Sequence, residues 1–326
     1  MVTNQLPAPV PDPRTRALRN VAEVIGGSAF FVEEVQQNYA ALGFRDPGEV
    51  RHGVRMFDWH PYFLARAAPM GRVPGEVVAA AFGVFPLDRI VTAVDEGWQV
   101  TDPATVLAAR LTGVEAALNR ILGAEPEGAR RATALIRRGV DQADVAGRPL
   151  YAGLRAIPYP GTVVGDLWHA CTLYREHRND VHISAWTTVG LTGVEACLLN
   201  DVRQGLGLRT YVRTRGWSDA QLNAGIERLE RRGLIDDTGM TAVGTELREW
   251  IEAATDRQQS PICDAVGEDL DELLALLAPI RATILDAGAY PGRRFVERTA
   301  EDAAEPDEAR PSSASAPMTV ARIRDE

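Results

Sequence analysis

Three of the five histidines, His169, His177 and His182, fall in a short stretch that also carries Glu176 and Asp180. Histidine titrates near neutral pH, and a neighbouring carboxylate fixes its tautomer, so such a group suits general acid–base chemistry. On a helix from Val163 to Arg178, His169 and Glu176 are one heptad apart and share a face, while His177 is turned about 100° away. Asn179 reads as the end of this helix and Asp180 as the cap of the next. That would bring His182 to the junction and gather all five side chains in a cleft between two helices. Arg175 and Arg178 would clamp an anion beside them. Two other uses compete for these residues: a metal site of two histidines and a carboxylate, and haem ligation through His169, His177 or His182. Neither has a motif spacing behind it. The structural alternative leaves Asp180 as a cap, Arg175, Glu176 and Arg178 as exposed ion partners, and His169 and His182 as core residues.

Composition removes other chemistries. All 35 basic residues are arginine, so a lysine Schiff base, pyridoxal phosphate chemistry and the P-loop lysine are excluded. No nucleophile elbow, glycine-rich dinucleotide loop or EF-hand pattern occurs. Cys171, Cys197 and Cys263 lie far apart with no CxxC spacing and read as small apolar residues of a reducing compartment. The longest apolar run, Val77 to Val84, is too short to span a bilayer, and the proline-rich start lacks the apolar stretch of a signal peptide. A cytoplasmic protein with no membrane partner is the expectation. A net charge of −10 disfavours nucleic acid unless a local basic patch intervenes.

A second constellation is aromatic. Trp59, Tyr62, Phe63, Phe82 and Phe85 form either core or one wall of an apolar small-molecule pocket, with His60, Arg66, Trp168, Arg175, Arg178 and Trp186 as further ligand contacts. Trp59-His60 with Arg66 is echoed by Trp168-His169 with Arg175, and Leu111-Thr-Gly-Val-Glu-Ala116 recurs as Leu191-Thr-Gly-Val-Glu-Ala196. These echoes suggest two related helical halves packed through small residues. Glu115 and Glu195, each on an apolar stripe, are either arginine-paired structural residues or a functional pair in a central pocket.

The elements that must position these residues are nearly all helical. The 3.6-residue apolar period predicts helices over 14–42, 60–67, 74–82, 87–97, 103–122, 127–144, 163–178, 182–202, 218–232, 244–258 and 262–288. The fold expected is mainly α. A flexible start (1–13) precedes a helical ligand-binding region (14–202). A winged helix-turn-helix with a small two-stranded wing and a long C-terminal helix follows (203–290), and then a disordered tail (291–326). The winged helix is the best-marked part: Ser218 caps a helix with Leu222, Ile226 and Leu229 on one stripe, Gly233 ends it, and Leu234-Ile235-Asp236, the turn 237–239 and Met240-Thr-Ala242 make a hairpin.

The text LERRGLIDDTGMTAVGTELREWIE resembles the wing of MarR-type regulators. Tyr62-Phe-Leu-Ala-Arg-Ala-Ala-Pro-Met-Gly71, Pro74-Gly-Glu-Val-Val-Ala-Ala-Ala-Phe82, the run Leu167 to Arg178 with Asp180 and His182, and Thr214-Arg-Gly-Trp-Ser-Asp219 together resemble an actinobacterial helix-turn-helix family of MarR-like proteins. The likeness covers about residues 15–288. It implies a winged-helix fold, and fold does not establish function.

Over 203–257, nine arginines meet nine carboxylates, so the module is neutral. Arg209, Arg213 and Arg215, with Gln221 and Arg228, are the candidate DNA contacts, and Asp219 at the start of the recognition helix opposes phosphate. The leading reading is therefore a small-molecule-binding enzyme of specialised metabolism. In it His169 and His182 transfer protons, Glu176 and Asp180 orient them, and the winged helix is scaffold or homodimer contact. The alternative is a ligand-responsive MarR-like regulator, and a structural partner in a larger complex is the third.

Overall fold

The computed structural model describes residues 9–292 and Arg298. The expected disordered tail and residues 1–8 of the flexible start fall outside the described residues, apart from Pro291, Gly292 and Arg298. Within them the chain is mainly helical, with two small antiparallel hairpins. The first part runs α1 (Pro13–Gly27), α2 (Glu33–Ala41), β1 (Val50–Arg51), β2 (Val54–Arg55), α3 (Trp59–Ala67), α4 (Gly75–Phe82), α5 (Leu87–Val100), α6 (Pro103–Leu122), α7 (Ala129–Val140) and α8 (Pro149–Arg155). Then come α9 (Val163–Thr188), α10 (Gly193–Arg203), α11 (Asp219–Arg231), β3 (Ile235–Asp236), β4 (Gly239–Met240), α12 (Ala242–Val266) and α13 (Leu270–Asp286). Start signals recur: Asp12 before Pro13, Asp102 before Pro103, Thr162, Ser218 and Thr241 each place a side-chain oxygen on a free amide of the first turn.

Two apolar cores result. The large one joins α1 to α8, the first half of α9, the end of α12 and α13. The small one joins Ala185 and Trp186 of α9, Leu198 of α10, Leu222 and Leu229 of α11, Ile235 of β3 and Ile251 of α12. The helices α9 and α12 thus run through both, and everything placed between them is fixed by two long rods.

The expected boundaries need correcting in several places. The helix expected over 14–42 is interrupted at Ser28–Phe30, a 3₁₀ turn in which Ser28 Oγ donates to the Ile25 carbonyl. The break expected at Asn179 does not exist: α9 continues for 26 residues to Thr188. The helix expected over 182–202 is split instead at 189–192, where Gly190 takes φ +74°. Pro261 lies inside α12 rather than ending it. A proline in a helix interior costs about 3 kcal/mol, and the burial of Ile262, Cys263 and Val266 in the large core offsets it. The β1–β2 hairpin was not foreseen. His52 and Gly53 both have positive φ there, the requirement of a tight two-residue turn.

The two sequence echoes occupy unlike places. Leu111–Ala116 lies mid-helix in α6, whereas Leu191–Ala196 starts α10, with Thr192 as N-cap. Trp59 opens α3, while Trp168 lies inside α9. The paired segments therefore do not build two matching halves.

Candidate functional site

All five residues of the histidine and carboxylate cluster lie on α9, and because that helix is unbroken they radiate rather than converge. His169 meets the Tyr159 ring edge-on at 4.8 Å. Glu176 takes a two-pronged contact from Arg66 of α3, Nε to Oε1 at 2.9 Å and Nη2 to Oε2 at 2.7 Å, and a third from Arg175 at 2.5 Å. His177 Nδ1 lies 2.8 Å from Gln259 Nε2 on α12, with Tyr151 edge-on to its ring. Asp180 accepts from the Tyr151 amide at 3.0 Å, so it caps α8 rather than the second half of its own helix. Asn179 donates to the Ala81 carbonyl. His182 Nδ1 is 3.0 Å from Thr255 Oγ on α12. The expected cleft gathering the five is absent, because the backbone turn that would have folded His182 back was never made.

Their electrostatics follow from this burial. Desolvation, aided by Arg110, pushes His169 down to about 4, and desolvation with Arg148 pushes His177 down to about 3. His182 is held well below its ordinary value, by burial first and by Arg178 second. Burial raises Glu176, but Arg66 and Arg175 outweigh it and keep the carboxylate ionised. Burial pushes Asp180 up to about 7, and its Oδ1 has no partner. Neutral histidines this far from pH 7 are poorly matched to acid–base work. With each aimed at a different neighbour, they also share no ligand set, and no group of three His, Cys, Asp or Glu among the described residues could hold a metal.

The aromatic candidates are core. Phe63 and Phe82 are fully buried, and Tyr62 and Phe85 nearly so. Trp59 stacks on Phe63 at 5.6 Å and Phe63 meets Phe85 at 5.0 Å, which fills the space a pocket wall would line. Arg66 also lies over Phe82 at 4.4 Å. His60 is tied to Asp58 and Glu96, Trp168 Nε1 donates to the Gly26 carbonyl, and Trp186 packs against Gly83 in the small core. Arg175 also reaches Glu23, and Arg178 reaches Glu252. Glu195 is buried in the capping box of α10, while Glu115 accepts from Thr162, so the two line no common pocket.

Open space lies on the flanks of α9. One cleft of about 340 Å³ runs along α1 and is lined by Arg19, Asn20, Arg175, Arg178, Asn179 and His182. Another of about 350 Å³ is lined by Asp141, Arg155, Tyr159, His169 and Leu173, with Tyr159 donating to Asp141 at 2.7 Å. Arg19, Asp141 and Tyr159 were not singled out from the sequence: they come from distant elements, and no local spacing marks them.

The third candidate surface is α11. Its stripe of Leu222, Gly225 and Leu229 packs on α10, Gly225 lying against Leu198 and Val194, which leaves Asn223, Glu227, Glu230 and Arg231 exposed. Of the five arginine and glutamine candidates, three are spent on contacts within the fold. Arg215 lies over Phe85 and Tyr211, Gln221 closes the capping box with Ser218, and Arg228 reaches Glu195 at 3.2 Å. Arg213 is exposed and paired with Asp219 at 3.1 Å, and Arg209 is half-exposed with φ +71°. Asn223 and Arg231, opposite or beside the apolar stripe, are the residues the sequence reading passed over, although the helical period alone would have placed them outward.

Residues 15–291 match a family described as a helix-turn-helix family. No curated protein and no solved structure gives a significant match to the chain.

Proposed function

Because the chain belongs to this helix-turn-helix family, we propose that it is a DNA-binding regulator, with α11 as the helix that enters the major groove. On this reading, α10, the turn Val212–Arg215, α11 and the β3–β4 hairpin form a MarR-like winged helix, with Asp237–Thr238 at the tip of a very short wing. The observation that carries the reading is the exposed face of α11. Asn223 offers the amide pair that matches an adenine edge, and Arg231 offers a phosphate contact. Arg213 would exchange Asp219 for phosphate. The family match reverses the order suggested by the charge balance. That balance instead sets how weak the electrostatic share is: with Arg209, Arg213 and Arg231 on phosphates, the salt slope would be about −3 per module. A homodimer would read two half-sites one helical turn apart.

The acid–base reading loses its support, since the three histidines are held neutral, His169 and His177 are buried, and all three are turned to different neighbours.

Selection of bound sequences from a random duplex library, followed by fluorescence anisotropy on the enriched site, tests the proposal. Asn223→Ala should cost about 1–3 kcal/mol and relax preference at one base pair. Arg231→Ala should weaken all sequences alike. A library that shows no enrichment after repeated rounds at low salt ends the proposal.

A further inference from the structure

Glu252, buried on α12, is surrounded by four arginines from four elements. Arg248 Nη2 lies at 2.6 Å, Arg178 Nη2 at 3.0 Å, Arg19 Nη1 at 3.6 Å and Arg203 Nη1 at 4.0 Å. One bidentate pair would neutralise this carboxylate. Instead four guanidiniums share it, two of them beyond hydrogen-bond distance, and Arg248 Nη1 is buried with no partner. Nearby carboxylates do not make up the deficit, because Glu23 is committed to Arg175 and Asp256 to Arg16. Burial and the neighbouring Arg178 hold Arg19 below its ordinary value, the sign of an arginine short of negative charge.

This excess opens to solvent. Arg19 and Arg178 line the cleft of about 340 Å³ between α1 and α9, with the Glu23–Arg175 pair, Asn20, Asn179 and His182 around them. Thr255 Oγ donates to the Ile251 carbonyl at 2.8 Å, so it accepts from His182 Nδ1 and leaves Nε2 as that ring's acceptor. The cleft therefore presents three arginines against one carboxylate, Glu23, which Arg175 already holds at 2.9 Å, together with two amides and one neutral base. At about 30 Å³ per water it has room for a ligand of some ten heavy atoms.

We propose that this cleft binds a small, multiply charged oxyanion, whose anionic group joins Glu252 in neutralising Arg19 and Arg178 while a hydroxyl or protonated oxygen donates to His182. Phosphate esters and polycarboxylates share this chemistry. The site stands apart from DNA binding, since it uses no residue of α11. It does lie where α9, α10 and α12, all parts of the small core, meet α1.

Calorimetric titration of the full-length protein with pyrophosphate, and separately with citrate, against sodium chloride of equal ionic strength, tests it. Saturable one-site binding of either is expected. Preference for pyrophosphate identifies a phosphate ligand, preference for citrate a polycarboxylate, and equal binding the shared chemistry. Arg19→Gln should weaken binding about tenfold or more, while Arg130→Gln, a surface arginine of α7 paired with Glu125, should change nothing. Should Arg19→Gln fail to fold by circular dichroism, Arg178→Gln, the other arginine assigned to the ligand, replaces it with the same expectation. Titrations that never exceed the chloride baseline, or a folded charge variant with wild-type affinity, overturn the proposal.

Discussion

A histidine held neutral by burial makes its protein acid-labile, and α9 carries three of them. His177 is pushed down to about 3 and His169 to about 4, and His182 also lies well below its ordinary value. The sign is fixed by linkage. Below about pH 6.5 the unfolded chain binds a proton at each of these positions and the native state does not, so stability is whole above that pH and drains as pH falls. Asp180 and Asp201, pushed up by burial to about 7 and about 6, act oppositely, because the native state keeps protons that the unfolded chain has lost. Three protons against two leave about one net proton from these groups between pH 6 and 5, a loss of about 1.4 kcal/mol per pH unit, which steepens below pH 5 as the depressed carboxylates Glu176 and Glu252 add their share. Urea melts at pH 6, 5.5 and 5 should show that slope. His177→Gln can keep an amide contact with Gln259 and cannot titrate, so its slope should flatten towards zero. An unchanged slope would mean that His177 is not desolvated as its surroundings demand.

At the scale of elements, the start of α10 is a sharp case. Thr192 and Glu195 close a capping box, and Gly193 lies so close to the loop after α4 that an added Cβ would sit 1.9 Å from the Gly83 carbonyl oxygen. Loss of the cap in Thr192→Ala should cost about 1 kcal/mol. Gly193→Ala must instead displace backbone, and its urea midpoint should fall below that of Thr192→Ala; the reverse order would show that the α4–α10 contact yields freely. Elements of this kind were only partly legible in the sequence. The existence of nearly every helix followed from apolar period and caps, because both are local. The end wrongly assigned at Asn179 and the break wrongly assigned before Pro261 failed for one reason: tertiary burial of Val181, Ile262 and Cys263 outweighs local stop signals. The site was less legible still. His169, Glu176 and His182 were found, but their partners Tyr159, Arg66 and Thr255 lie on other elements, and Arg19, Arg178, Arg203 and Arg248 meet only in the folded chain. Spacing cannot encode contacts such as Arg66 with Glu176, His182 with Thr255 or Arg19 with Glu252, which join distant parts of the chain.

The two cores share α9 and α12, so the module built on the small core is not an independent bead on the helical body. Those rods donate four of the thirteen buried residues of its core: Ala185 and Trp186 from one, Ile251 and Ala254 from the other. A module built this way cannot open without releasing the second half of α9, where Arg178 and His182 line the anion cleft, and the stretch of α12 that carries Glu252. Leu222→Ala, a deletion in the middle of the small core, should therefore lower the stability of the whole chain by about 2–5 kcal/mol. Far-ultraviolet circular dichroism and tryptophan emission should still report one coincident urea transition. Trp59, Trp98 and Trp168 lie in or against the large core and Trp186, Trp217 and Trp250 in or against the small one, so emission samples both. Two separated transitions in the variant would mean that the rods do not couple the cores. The module could then move without disturbing the cleft, and a ligand bound beside Arg19 would have no mechanical route to α11.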